Sequence, residues 1–250
     1  MDNDDVQVGR VLSRREVLAL LGAGGAGLVA SRLGAQAGAS PGLVAAGTTW
    51  MPSCVVTPAQ TEGPYFIDEK LNRVDIRSDP ASGTVSDGAL LDLEVRVFRV
   101  AGGTCEPLAN AMVDVWQCDA KGIYSDVRDM NGFFTTTGQK FLRGYQQTDA
   151  IGVARFTTIY PGWYQGRCVH IHFKVRSSAG GRSTEFTSQL YFDDAFTDAV
   201  YAQAPAYAKA GQRVRNERDG IYRQGGRQLM MPVTAAGNGY KGTFEIGLTG

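Results

Sequence analysis

The sequence predicts a mainly β fold: an antiparallel β-sandwich core with long loops and one or two short helices. Three observations carry that reading. Leu91, Leu93, Val95 and Val97 alternate with Asp92, Glu94 and Arg96, and strict period-two alternation marks a half-buried strand. Similar short apolar runs recur down the chain, separated by Gly, Pro and Asp turns such as Ala101-Gly102-Gly103, which is the layout of a sandwich. Helix-favouring composition is confined to one stretch, Asp194 to Arg215, where Ala, Gln, Lys and Arg dominate.

Taken in order, the first strand covers residues 91–97. The second follows the glycine turn, with Ala111, Val113 and Val115 alternating with Met112, Asp114 and Trp116. Further strands are expected at Val153 to Ile159, Val169 to Val175, Gln189 to Phe192 and Thr243 to Leu248. Pro205 should break the helical stretch, because its ring blocks the preceding turn and it lacks an N–H. No internal repeat is present. With 250 residues and 43% hydrophobic composition, one domain can fill its own core, and it is expected over residues 54–250.

The N-terminus reads differently. Ser13-Arg14-Arg15-Glu16-Val17-Leu18 precedes an apolar Gly/Ala-rich run, and Ala35-Gln36-Ala37 offers a small-residue cleavage site. Residues 1–39 are expected to be a twin-arginine export signal, residues 40–53 a flexible lead-in, and the destination extracellular, cell-surface or periplasmic. Removing the signal leaves 21 residues of each charge sign, so the mature chain is still neutral. A neutral chain lacks the field that draws in nucleic acid or an anionic membrane. Composition leaves the oligomeric state open, a homo-oligomer included.

Four cysteines, Cys54, Cys105, Cys118 and Cys168, follow the signal. An oxidising destination permits up to two disulfides among them, and the absence of a CxxC pair argues against structural zinc.

Chemistry is suggested first by scarcity. The chain's two histidines stand together in Val169-His170-Ile171-His172-Phe173, and positions i and i+2 of a strand share a face. The imidazoles therefore project side by side, while Val169, Ile171, Phe173 and Val175 form the opposite, core-facing row. Such a pair is either a surface feature or half of a metal site. A zinc or copper site would need another ligand, for which Cys168 is a candidate. Tyrosine is the other candidate, a hard oxygen donor that a bound cation can deprotonate despite a phenol pKa of ~10. Tyr124 and Tyr164 each sit in a turn after a strand, where loops present functional groups.

Three blocks now become informative together: Trp116-Gln117-Cys118-Asp119-Ala120-Lys121-Gly122-Ile123-Tyr124, Thr158-Ile159-Tyr160-Pro161-Gly162-Trp163-Tyr164, and Arg167-Cys168-Val169-His170-Ile171-His172. In this order they closely resemble the intradiol ring-cleavage dioxygenases. The likeness extends to Thr57-Pro58-Ala59-Gln60-Thr61-Glu62-Gly63-Pro64-Tyr65 and to Gln189-Leu190-Tyr191-Phe192. The resemblance implies one non-haem Fe(III) per chain, with Tyr124 and His170 as equatorial ligands and Tyr164 and His172 as axial ones. It further implies a small aromatic diol and dioxygen as reactants, Tyr164 as a base, and Arg167 and Gln189 beside the substrate. Thr61, Gly63, Tyr65 and Trp163 would line its pocket. Two departures stand out: Tyr164 and His170 are closer in sequence than the family's usual pair, and one chain carries both the Thr-x-Gly-Pro-Tyr segment and all four ligands. An exported β-sandwich that binds a metal or aromatic ligand without catalysis is the other class the sequence allows.

Overall fold

The computed structural model describes residues 55–128, 134–179 and 182–249. The export signal, the lead-in and the expected start at Cys54 lie outside these residues. Nine strands and one α-helix are found among the described residues. They are β1 (Leu90–Ala101), β2 (Thr104–Pro107), β3 (Met112–Trp116), β4 (Arg143–Gln147), β5 (Val153–Ile159), β6 (His170–Ala179), β7 (Arg182–Tyr191), α1 (Asp194–Gln203), β8 (Val233–Ala236) and β9 (Gly239–Thr249).

Two sheets face each other. One runs β2-β1-β9-β8, with β5 also paired to β1; the other runs β4-β3-β6-β7. β1 divides one edge between two partners, pairing β5 along Leu90 to Arg96 and β2 along Phe98 to Ala101. The fully antiparallel expectation needs one correction, because β1 and β9 run parallel from Leu91↔Tyr240 to Val100↔Thr249. A parallel neighbour needs a long crossover. The chain supplies it by travelling through the second sheet, α1 and several short 3-10 turns before β9.

Period-two patterning built the interior as expected. Leu91, Leu93, Val95 and Val97 of β1 are buried, and they share one core with Phe156, Phe244 and Ile246 of the same sheet and Val113, Val115, Ile171, Phe173, Val175 and Leu190 of the other. At roughly 25 cal/mol per Å2 of apolar surface removed from water, each such side chain stabilises the fold by about 1.5–3 kcal/mol. The helix begins where Asp193 accepts a hydrogen bond from the Phe196 N–H, a side-chain cap, and stops before Pro205, which opens a short 3-10 turn.

The outer face of the second sheet is covered rather than exposed. The coil 57–69 lies over it, held by the Gln60 backbone N–H donating to the Thr187 carbonyl, Ser188 Oγ donating to the Pro58 carbonyl, and Lys174, itself paired with Glu185 of β7, paired with Glu62. The cover makes an interior for polar groups.

Candidate metal centre

β6 places His170 and His172 on that covered face, both about 2% exposed. Ladder register then decides their neighbours. Trp116 of β3 and Gln189 of β7 flank His172, and Tyr191 flanks His170. The Trp116 ring stacks on His172 at 4.9 Å with a 10° interplanar angle, so the imidazole plane is fixed by an aromatic wall.

The two tyrosines arrive on loops that lock together. In the turn after β3, Asp119 Oδ1 accepts from the Lys121 and Ile123 N–H groups at 2.8 Å each, an Asx-type turn. Gly122 has φ +86°, and a Cβ there would lie 2.2 Å from the Trp163 carbonyl oxygen. No side chain fits, so glycine is what allows the Tyr124 loop to close on the Tyr164 loop. The Gly162 N–H donates to the Asp119 carbonyl at 3.1 Å and joins them further.

The result is convergence. Tyr124 Oη lies 3.4 Å, Tyr164 Oη 3.2 Å and His172 Nε2 3.0 Å from His170 Nε2. His170 Nδ1 is 2.7 Å from the Cys168 carbonyl, an acceptor, which places the proton on Nδ1 and leaves Nε2 as a lone-pair donor to the cluster. Tyr65 stacks on Tyr124 at 4.7 Å and meets Tyr164 edge-on at 6.5 Å.

Electrostatics keep these groups neutral. Burial, then the neighbouring Tyr164, holds the Tyr124 phenol well above its usual range, and burial likewise raises Tyr164 although Arg167 opposes it. Burial and then the Arg167 charge push His170 down to about 3, and burial with His170 beside it lowers His172 well below ordinary imidazole values. His172 Nδ1 is buried without a protein partner. Two phenols and two imidazoles crowded on one point, with ring nitrogens 3.0 Å apart, repel through lone pairs unless a proton or cation lies between them. The donor set, hard phenolate oxygen with borderline imidazole, fits a trivalent iron ion.

A polar network backs this cluster. Arg167 Nε donates to Asp219 Oδ2 at 2.9 Å, and its Nη2 donates to Gln189 Oε1 at 2.5 Å. Its Nη1 reaches to 3.5 Å from His170 Nε2. Burial opposes the guanidinium charge, but Tyr164 and Asp219 outweigh it and hold the charge on. Asp219 is itself resisted by burial yet drawn down to about 2 by Arg167 and by the Cys168 and Tyr222 N–H groups. Gln189 Nε2 donates to the Thr61 carbonyl at 3.0 Å, and Tyr191 Oη donates to Gln60 Oε1 at 2.6 Å.

Of the residues proposed from sequence, Tyr124, Tyr164, His170, His172, Arg167 and Gln189 come together, with Thr61, Gly63 and Tyr65 laid over them. Gly63 has φ +71°, and a Cβ there would sit 3.1 Å from His172 Cε1. Trp163 stands apart, its ring lying 3.9 Å beneath Lys209 Nζ beside a separate cleft. Asp219, Gln60, Tyr191 and Trp116 join the site without having been singled out as site residues. Tyr191 shares the i, i+2 face with Gln189 and was readable on that ground. Asp219 meets Arg167 from 52 residues away with no local motif.

Cys105 is disulfide-bonded, whereas Cys118 and Cys168 are free and buried. Two disulfides are therefore not formed. The Cys168 thiol hydrogen-bonds toward Asp219, which places it with the Arg167 network. Among the described residues, His170, His172 and Cys168 do not form a group of three or more His, Cys, Asp or Glu side chains that could hold a metal ion.

Residues 61–217 match a family model described as Dioxygenase. The hydroxyquinol 1,2-dioxygenase of Corynebacterium glutamicum is 31% identical over 137 residues, covering 48% of this chain and 41% of that protein. The protocatechuate 3,4-dioxygenase beta chain of Burkholderia cepacia is 30% identical over 162 residues, covering 61% and 65%. The chain thus spans about half the length of the curated relatives it matches. Among solved structures, an intradiol ring-cleavage dioxygenase from Tetranychus urticae is similar with a TM-score of 0.67 and 28% identity, over 78% of this chain and 95% of that one. The dioxygenase domain of a carbohydrate-binding fusion from Streptomyces sp. SirexAA-E gives a TM-score of 0.56 at 33% identity, over 78% and 99%. With the model match spanning most of the chain and the fold shared, this protein belongs to the intradiol ring-cleavage dioxygenase family.

Proposed function

We propose that the chain is an Fe(III)-dependent dioxygenase that opens a catechol-type ring between its two hydroxyls and releases a muconate-type diacid. One observation carries the reading: the hydroxyls of Tyr124 and Tyr164 and the Nε2 of His172 all lie within 3.4 Å of His170 Nε2, inside a covered and desolvated pocket. Tyr124, Tyr164, His170 and His172 would hold the iron, which would supply a Lewis acid that polarises the bound diol.

The protein's own groups have distinct tasks. Tyr164 Oη sits at the cluster's edge beside Arg167 and is the base that takes a catechol proton. Tyr124 is anchored more firmly, since Thr136 Oγ1 donates to its carbonyl at 2.6 Å and its ring is stacked beneath Tyr65, so it stays as a fixed donor. Arg167, charged and aimed by Asp219 and Gln189, stabilises negative charge that develops on the ring. The 61–65 segment and Trp116 exclude water. Atoms balance when both atoms of dioxygen enter the diacid.

The test is turnover of catechol by iron-loaded protein under labelled dioxygen. Two labelled oxygen atoms in an intradiol diacid are expected. Oxygen-inert protein that still binds iron and catechol would overturn ring cleavage in favour of a binding module. The Arg14-Arg15 segment supports export by the twin-arginine route, and a Lys-Lys replacement of that pair should leave the protein inside the cell.

A further inference from the structure

Beside the Tyr164 loop lies a cleft of about 980 Å3 that the cluster above does not use. That is near the top of the roughly 300–1,000 Å3 range of small-molecule sites, more than a bare aromatic diol needs. The loop has two faces. Tyr164 and Arg167 point their functional atoms at His170, while their neighbours Trp163 and Gly166 line the cleft. Gly166 is exposed, and a Cβ added there would meet nothing within 4 Å. The 163–167 loop thus borders the cluster through Tyr164 and Arg167 and the cleft through Trp163 and Gly166.

The lining is cationic although the chain is neutral. Lys209, Arg213, Arg215 and Arg218 face one carboxylate, Asp198. Arg213 is committed to Asp194 and Asp198, and Arg215 to Asp198 through Nη1. Lys209 is held by the Trp163 and Lys121 carbonyls rather than by a carboxylate. Arg218 is exposed and has no side-chain partner among the described residues. With Asp198 already paired to Arg213 and Arg215, the lining keeps a net positive charge that favours an incoming anion, and a free guanidinium presents a fork of N–H groups matched to a carboxylate.

We infer that this cleft binds the carboxylate-bearing arm of an elongated aromatic diol whose ring enters the Tyr124/His170 cluster, with Arg218 as the principal anchor and Trp163 as the apolar wall. The inference rests on the ring-cleavage reading for the identity of the ring, and on the cleft alone for the arm.

The experiment is anaerobic calorimetric titration of iron-loaded protein with dihydrocaffeate and with its neutral methylamide, alongside catechol turnover in air. The acid should bind about tenfold tighter than the amide, the size of one charge-assisted contact. In Arg218→Glu the two affinities should become about equal, while Arg218→Lys should keep part of the preference; circular dichroism checks that both variants fold. Equal affinities in the unmodified protein, or a preference that survives Arg218→Glu, would overturn the cleft assignment. A preserved acid preference without catechol turnover would uphold the cleft and reject ring cleavage.

Discussion

The two faces of β6 are equally buried and do opposite things. Ile171, Phe173 and Val175 are at most 1% exposed and meet the apolar face of the other sheet, while His170, His172 and Lys174 are 2–4% exposed and meet tyrosines, an arginine network and a polar coil. A single strand thus divides stability from chemistry by alternation alone. What separates the faces is the partner layer: one offers only carbon, the other offers hydrogen-bonding groups at fixed distances, so buried imidazoles are tolerated there.

Substitutions on each face should break the comparison in different ways. His172→Ala or Tyr124→Phe should remove ferric binding and lower turnover by at least about a thousandfold, the upper end of what deleting a single preorganised electrostatic donor costs, while the Tm moves little; absorption spectra with oxygen uptake check this. Phe173→Ala, on the opposite face of the same strand, should cost about 3–5 kcal/mol in unfolding free energy by leaving a cavity, measured by urea denaturation. The surviving folded fraction should still bind iron.

Asp219→Asn tests the polar layer behind the cluster. The folded carboxyl is drawn down to about 2 from a reference of 3.8, so its ionised form stabilises the fold above pH ~4 and that contribution is lost as pH falls through about 2. The difference amounts to about 2 kcal/mol. The variant should be less stable by that amount near neutrality and should show a flatter decline in stability between pH ~4 and 2. Gly63→Ala should have the smallest effect, about 1–2 kcal/mol for a left-handed backbone, together with a raised KM because a methyl would press on His172. An unchanged KM would mean that the 61–65 segment does not shape the pocket.

How much of this was legible depends on whether a local pattern existed. β5 fell on the expected residues, Val153 to Ile159, where β-favouring Val, Phe, Thr and Ile dominate between the turns on either side. β4, Arg143 to Gln147, was missed because its sequence RGYQQ has no apolar alternation. Arg143 is nonetheless buried there, donating to Ser125. β2 and β8 are short and mostly exposed and leave no periodic trace. The histidine pair followed from strand geometry. The tyrosines needed the family resemblance, since nothing in a single loop says that Gly122 will dock it against Trp163. Asp219 had no local signal, because the loop that carries it reaches Arg167 only through the tertiary fold.

The most direct test is anaerobic titration of purified protein with ferric iron, followed by visible absorption and resonance Raman. One equivalent should give a red protein with tyrosinate vibrations, which lose one tyrosinate component when catechol is added and disappear in Tyr124→Phe. A colourless complex, or a coloured one that persists unchanged in Tyr124→Phe, would contradict the assignment of Tyr124, Tyr164, His170 and His172 as the metal centre.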